Sequence, residues 1–120
     1  MILTNKESKE VLYSAEGIVK LSLSDINSLK EMAVLNPQKK IRLCAHRGIN
    51  DSLHEMFIIH TKNYYVRPHK HIGKAESMSV LEGVVDFVLF EEDGTVSQVI
   101  EMSSYGSGKK FFKIFAFSFF

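Results

Sequence analysis

The spacing of apolar residues changes twice along this chain. Near the start, "EVLYS" (10–14) and "GIVKLS" (17–22) are short apolar-rich runs separated at Ala15 to Gly17, a pattern that predicts a small hairpin. From Ser24, read as an N-cap, the segment "DINSLKEMAVL" sets Ile26, Leu29, Met32 and Leu35 at three-residue steps. That spacing predicts a helix of about three turns with these four residues on one side. Asn36 and Pro37 end it, because the residue before a proline is pushed out of the helical region.

After Lys40 the pattern becomes that of strands. "IRLCAH" alternates, with Ile41, Leu43 and Ala45 on one face and Arg42, Cys44 and His46 on the other. "EMFIIHTK" and "VVDFVLF" are near-continuous apolar runs, which predicts strands covered on both faces. "EEDG" leading into "TVSQVIEM" predicts a hairpin turning at Asp93 and Gly94. Many short strands and one early helix predict an all-β sandwich or barrel.

Length and charge narrow the function classes. The 120 residues suffice for one domain with a core, and a formal net charge of +1 offers no field for nucleic acid or an acidic membrane. No stretch approaches the roughly 18 apolar residues of a membrane span, and the N-terminus has no apolar signal region. Cys44 is the single cysteine, which excludes an internal disulfide and fits a reducing compartment, so the cytoplasm is the expected location.

The candidate chemistry lies in "VRPHKHIGKAESMSVLEG" (66–83). His69 and His71 are two apart, so on a strand both imidazoles project to the same face. Glu76 follows after "IGKA", enough chain to turn and bring a carboxylate back. Two histidines and a carboxylate leave open positions on a divalent ion such as zinc, iron(II), manganese or nickel. Such an ion is catalytic or ligand-binding rather than purely structural.

These intervals resemble the first motif of the cupin superfamily: glycine, five residues, H-x-H, three or four residues, glutamate, six residues, glycine. This chain reads Asn63, "YYVRP", His69, Lys70, His71, "IGKA", Glu76, "SMSVLE", Gly83, with Asn63 in place of the first glycine. With "RLCAH" and "FEEDG" added, residues 40 to 110 look like the WbuC family of cupin-fold metalloproteins, small bacterial proteins often associated with surface-polysaccharide gene clusters. The resemblance implies an all-β, cupin-type jelly-roll β-barrel with one short N-terminal helix. The expected organisation is one domain over 1–120: hairpin and helix in 1–40, barrel core in 41–112, an atypical tail in 113–120. The resemblance further implies one divalent metal ion on His69, His71 and Glu76.

Cupins also carry a second motif with a fourth metal ligand, a histidine, on a later strand. Here the chain runs "YGSGKKFFKIFAFSFF" without that histidine, and six of its last ten residues are phenylalanine. The expectation is a truncation or frameshift after about Phe112, and a three-ligand site unless His46, His54, His60 or a partner chain supplies another. "FFKIF" has strand-forming residues and can follow an existing sheet, while the uncovered phenylalanines favour association, so a homodimer is expected.

Around the ion, Arg67 shares the parity of His69 and His71 and would hold a carboxylate or phosphate. Tyr65, Lys74, Arg42 and His46 are the further candidate ligand-binding residues. Cys44 tilts its strand face toward a pocket wall, since cysteine is seldom well exposed. His54 and Glu55 could pair, and His60 is expected to be structural. The functional expectation is a metal-binding cupin acting on a small polar metabolite, such as a sugar or sugar nucleotide, by isomerisation or epimerisation. The alternatives are a non-catalytic binding module and a disabled relative.

Overall fold

The structure, a computed structural model, describes residues 4–62, 66–68 and 75–115. The described residues are mostly β with one helix, and the chain divides into two compact units, Met1–Val66 and Arg67–Phe120. His69, His71, Tyr65 and Lys74 lie outside the described residues.

The first unit runs β1 (Thr4–Lys6), β2 (Val11–Ser14), α1 (Leu23–Leu35), β3 (Lys40–Cys44) and β4 (Met56–His60). The strands form one sheet in chain order. β1 and β4 pair antiparallel with their neighbours, whereas β2 and β3 are parallel. A parallel pair cannot be closed by a tight turn and needs a crossover, usually a helix. Residues 15–22 are used in that crossover, so "GIVKLS" is not the second strand of a hairpin. The hairpin partner of β2 is β1, with Thr4 opposite Ser14.

The helix starts two residues earlier than an N-cap at Ser24 would place it. Its N-cap is Ser22 rather than Ser24, because Asp25 reaches back to accept the Ser22 N–H and hydroxyl, both at 2.9 Å. A carboxylate three residues inside the cap also complements the positive end of the helix. Leu29 and Ala33 pack on Leu12, Ile41 and Leu43, with Ile26, Met32, Phe57 and Ile59 around them. Leu35 does not join this face and is 82% exposed. At 3.6 residues per turn each three-residue step falls about 60° short, so three steps from Ile26 carry Leu35 to the opposite side.

The helix ends as expected at Asn36, whose side chain ties it to the next strand. Its Oδ1 accepts the Lys40 N–H at 3.3 Å, its amide donates to the carbonyls of Lys40 and Lys9, and its own N–H donates to Met32 O at 3.1 Å. In β3, Ile41 and Leu43 face the helix while Arg42 is exposed. β4 alternates, Phe57 and Ile59 inward and Met56, Ile58 and His60 outward, so it is covered on one face rather than two.

The second unit holds β5 (Glu76–Ser79), β6 (Val84–Phe90), β7 (Val96–Ser103) and β8 (Phe112–Phe115). They form two antiparallel pairs, β5 with β8 and β6 with β7. The β6–β7 hairpin turns at Asp93 and Gly94 as expected. Gly94 has φ +90, and Asp93 accepts the Thr95 N–H at 2.9 Å and its hydroxyl at 2.7 Å. β6 is not covered on both faces: Leu89 is buried, but Val84 is 66% exposed. Its start is held where the Ser103 hydroxyl donates to the Gly83 carbonyl at 2.9 Å. "FFKIF" does continue a sheet, as β8. Among the described residues, no helix is long and apolar enough to cross a membrane.

The buried stripe of α1 is tested by two substitutions. Leu29→Ala is expected to lower unfolding free energy by about 2–5 kcal/mol in urea titration. Leu35→Ala is expected to stay within about 0.5 kcal/mol of the parent, since its side chain leaves almost no packing behind. Equal losses would place Leu35 on the packed face after all.

Candidate functional site

Glu76, the candidate carboxylate ligand, is the first residue of β5 and is exposed. Register sets Glu76 opposite Phe115 and Met78 opposite Lys113, so positions 76, 78, 113 and 115 share one face of the pair. Lys113 is half-buried, and its Nζ lies 3.5 Å from the ring centroid of Phe87 on β6. Burial pushes the Lys113 ammonium below the ordinary lysine range, while the negative charge of Glu76 pulls it back up. The motif closes at Gly83, whose φ of +86 makes the turn into β6, with Glu82 exposed before it. Arg67 is exposed next to Pro68. Among the described residues, no group of three or more His, Cys, Asp and Glu side chains is placed to hold a metal. Of the three candidate ligands, Glu76 is described, while His69 and His71 lie outside the described residues.

A second cluster forms in the first unit where β2 and β3 run parallel. Tyr13 pairs in register with Cys44, and the Tyr13 ring meets His46 edge-on with centroids 5.6 Å apart. His46 is 7% exposed and stacks on His54 at 4.2 Å with ring planes 8° apart. Cys44 is 1% exposed. The polar face read from the alternation of β3 is therefore split: Arg42 is at the surface, whereas Cys44 and His46 are inside.

Each polar group in this cluster is engaged locally. The Glu55 N–H donates to His46 Nδ1 at 3.2 Å, while the Glu55 carbonyl takes the Ala45 N–H at 2.8 Å. His46 thereby supplies the acceptor that continues the β3–β4 ladder past Cys44. His54 places Nε2 3.1 Å from the Ile49 carbonyl and its ring against His46. The Arg47 N–H donates to Asp51 at 3.1 Å, and this main-chain bond holds the Asp51 carboxyl below its ordinary range. Burial pushes the Cys44 thiol up, with Arg42 opposing, and desolvation and Cys44 push the Tyr13 phenol up. A thiol held protonated is a weak nucleophile.

Tyr13 and Lys113 are the residues that sequence reasoning did not assign. Tyr13 lies far from Cys44 in the chain, and no local spacing announces a parallel pairing. Lys113 carried a readable signal, since strand parity within "FFKIF" separates it from its phenylalanine and isoleucine neighbours. His60 lies outside this cluster, on the outward face of β4 opposite Lys40. Partial desolvation of its ring, then the Lys40 charge, lower its basicity.

Residues 21–102 match the family described as DUF6016, a domain of unknown function. No curated protein and no solved structure matches the chain.

His46→Ala is expected to leave the Glu55 N–H without its acceptor and to cost about 1–3 kcal/mol in urea titration. His54→Ala removes an exposed ring and costs less. The lowered basicity of His60 means that the unfolded chain takes up its proton first. Its contribution to stability is complete above the unfolded histidine range and declines as pH falls through the folded one. Melting curves at several pH values should show a shallower acid-side loss in His60→Gln than in the parent.

Proposed function

The chain belongs to the DUF6016 family, whose description carries no activity, and from its own residues we propose a metal-binding, cupin-type protein that takes a small polar metabolite. One observation supports this reading, the secondary structure of the described half of the histidine and glutamate motif. Glu76 opens strand β5, and Gly83 turns the chain into β6 with φ +86. An exposed carboxylate at a strand start can offer its oxygens to an ion held also by His69 and His71. The donor set of two imidazoles and one carboxylate suits zinc, iron(II), manganese or nickel. The ion, when bound, supplies Lewis acidity toward a carbonyl or hydroxyl.

Within this proposal the fold is a jelly-roll barrel similar to the WbuC family, and the metabolite is a sugar or sugar nucleotide of surface-polysaccharide biosynthesis. Arg67, with Tyr65 and Lys74, is the candidate to orient an anionic group of the ligand, and Arg42 and His46 remain further candidates for ligand contact. Isomerisation or epimerisation is the reaction to assay. A non-catalytic binding module is the second reading, and the protonated, buried Cys44 thiol favours it, since it adds no nucleophile. The proposed location is the cytoplasm and the proposed assembly a homodimer, the latter supported by the exposed Phe111, Phe112 and Ile114 in and beside β8.

Purified protein is expected to hold up to one divalent ion per chain, lost in His69→Ala and in His71→Ala. Retention should weaken as pH falls through the histidine range, because protons compete for the imidazole lone pairs. Elemental analysis that finds no zinc, iron, manganese or nickel after reconstitution would end the metal reading. Glu76→Gln should reduce retention more than Glu82→Gln, and equal losses would remove Glu76 from the ligand set.

A further inference from the structure

We infer that Lys113 is a built-in competitor for the Glu76 carboxylate, so that its ammonium and an external divalent cation occupy that carboxylate in turn. The inference rests on the proposed ligand role of Glu76 and adds a control on it. In the antiparallel β5–β8 pair, Glu76 and Lys113 share a face and sit diagonally, Lys113 facing Met78 and Glu76 facing position 115. Diagonal neighbours have Cα atoms about 7–8 Å apart, within reach of a lysine side chain. The opposite face carries Ser77, Ser79, Phe112 and Ile114, of which Ile114 is 63% exposed. Lys113 instead is half-buried on the Glu76 side.

The ammonium is also located from a second direction. Its Nζ lies 3.5 Å from the centroid of the Phe87 ring, a contact that holds a cation by the negative face of the ring. Strand pairing from β8 and the ring from β6 therefore keep a positive charge on the same sheet face as the carboxylate. A divalent ion arriving at the exposed Glu76 carboxylate meets the like charge of the half-buried Lys113 on the same sheet face. Its binding requires the lysine head to turn away. The lysine stem is long enough for both positions, with the head near Glu76 or swung toward solvent.

The experiment is zinc and nickel titration calorimetry on the full chain and its Lys113 variants. Lys113→Met keeps the stem against Phe87 and removes the charge, so it should bind either ion about tenfold more tightly than the parent. Lys113→Arg retains the charge and should remain close to parental affinity, so that a gain in the neutral variants with none in the arginine variant separates charge from packing. Lys113→Gln provides a second neutral variant should the methionine variant fold poorly. In a Glu76→Gln background, neutralising Lys113 should change nothing. Parental binding that is not tightened by either neutral variant overturns the competition and leaves the metal reading intact. A gain that persists in the Glu76→Gln background also overturns it. Absence of any isotherm in parent and variants overturns the metal role of Glu76 itself, and the competition with it.

Discussion

The parallel pairing of β2 with β3 is the constraint on which the first unit depends. It aligns Val11 with Arg42, Leu12 with Leu43 and Tyr13 with Cys44, and it obliges the chain between them to cross over one face of the sheet. The helix is that crossover. It covers Leu12, Ile41 and Leu43 with Leu29 and Ala33, while the other face of the same strands brings Tyr13, Cys44 and His46 together. Core and polar cluster are thus two sides of one register. A one-residue slip would exchange them, burying Arg42 against the helix.

Asn36 and His46 perform the same task at opposite ends of β3. Asn36 accepts the Lys40 N–H where the strand begins, and His46 accepts the Glu55 N–H just beyond its end. Each side chain substitutes for a main-chain partner at a point where the ladder stops. A buried N–H without an acceptor would weaken the strand from its end inward. His46 was a candidate for contact with a ligand, and its geometry gives it a structural duty first.

The second unit is organised around charge on a small sheet. Among the described residues β5 and β8 make a two-stranded pair, and such a pair has little stability unless one face is covered. Met78 and Lys113 are the half-buried positions of the described face, and Phe87 meets the lysine from the neighbouring hairpin. The carboxylate proposed to hold an ion therefore lies beside a cation that also helps to cover this face. In the inferred competition one side chain serves both ion binding and packing, so ion affinity and the order of β8 would be linked.

Much of this architecture was legible in the chain. The helix and its end at Asn36, the strands β3, β4, β6 and β7, the turn at Asp93 and Gly94, and the strand in "FFKIF" all follow from local periodicity and turn chemistry. So does the metal-ligand spacing of His69, His71 and Glu76 as a candidate, because motif intervals are a property of the sequence itself. Strand partners are different: "GIVKLS" has the composition of a strand but lies in a crossover, and nothing within it records that β2 pairs parallel with β3. The N-cap at Ser22 was set by a bond from Asp25, and the exposure of Leu35 by rotation of the helix against one particular sheet. The sequence by itself determined which segments extend, coil and turn, since those preferences act over a few residues. Only tertiary structure decided that Tyr13, Cys44, His46 and His54 meet, and that Lys113 faces the side of Glu76, because register joins residues across distances over which local preferences carry no information.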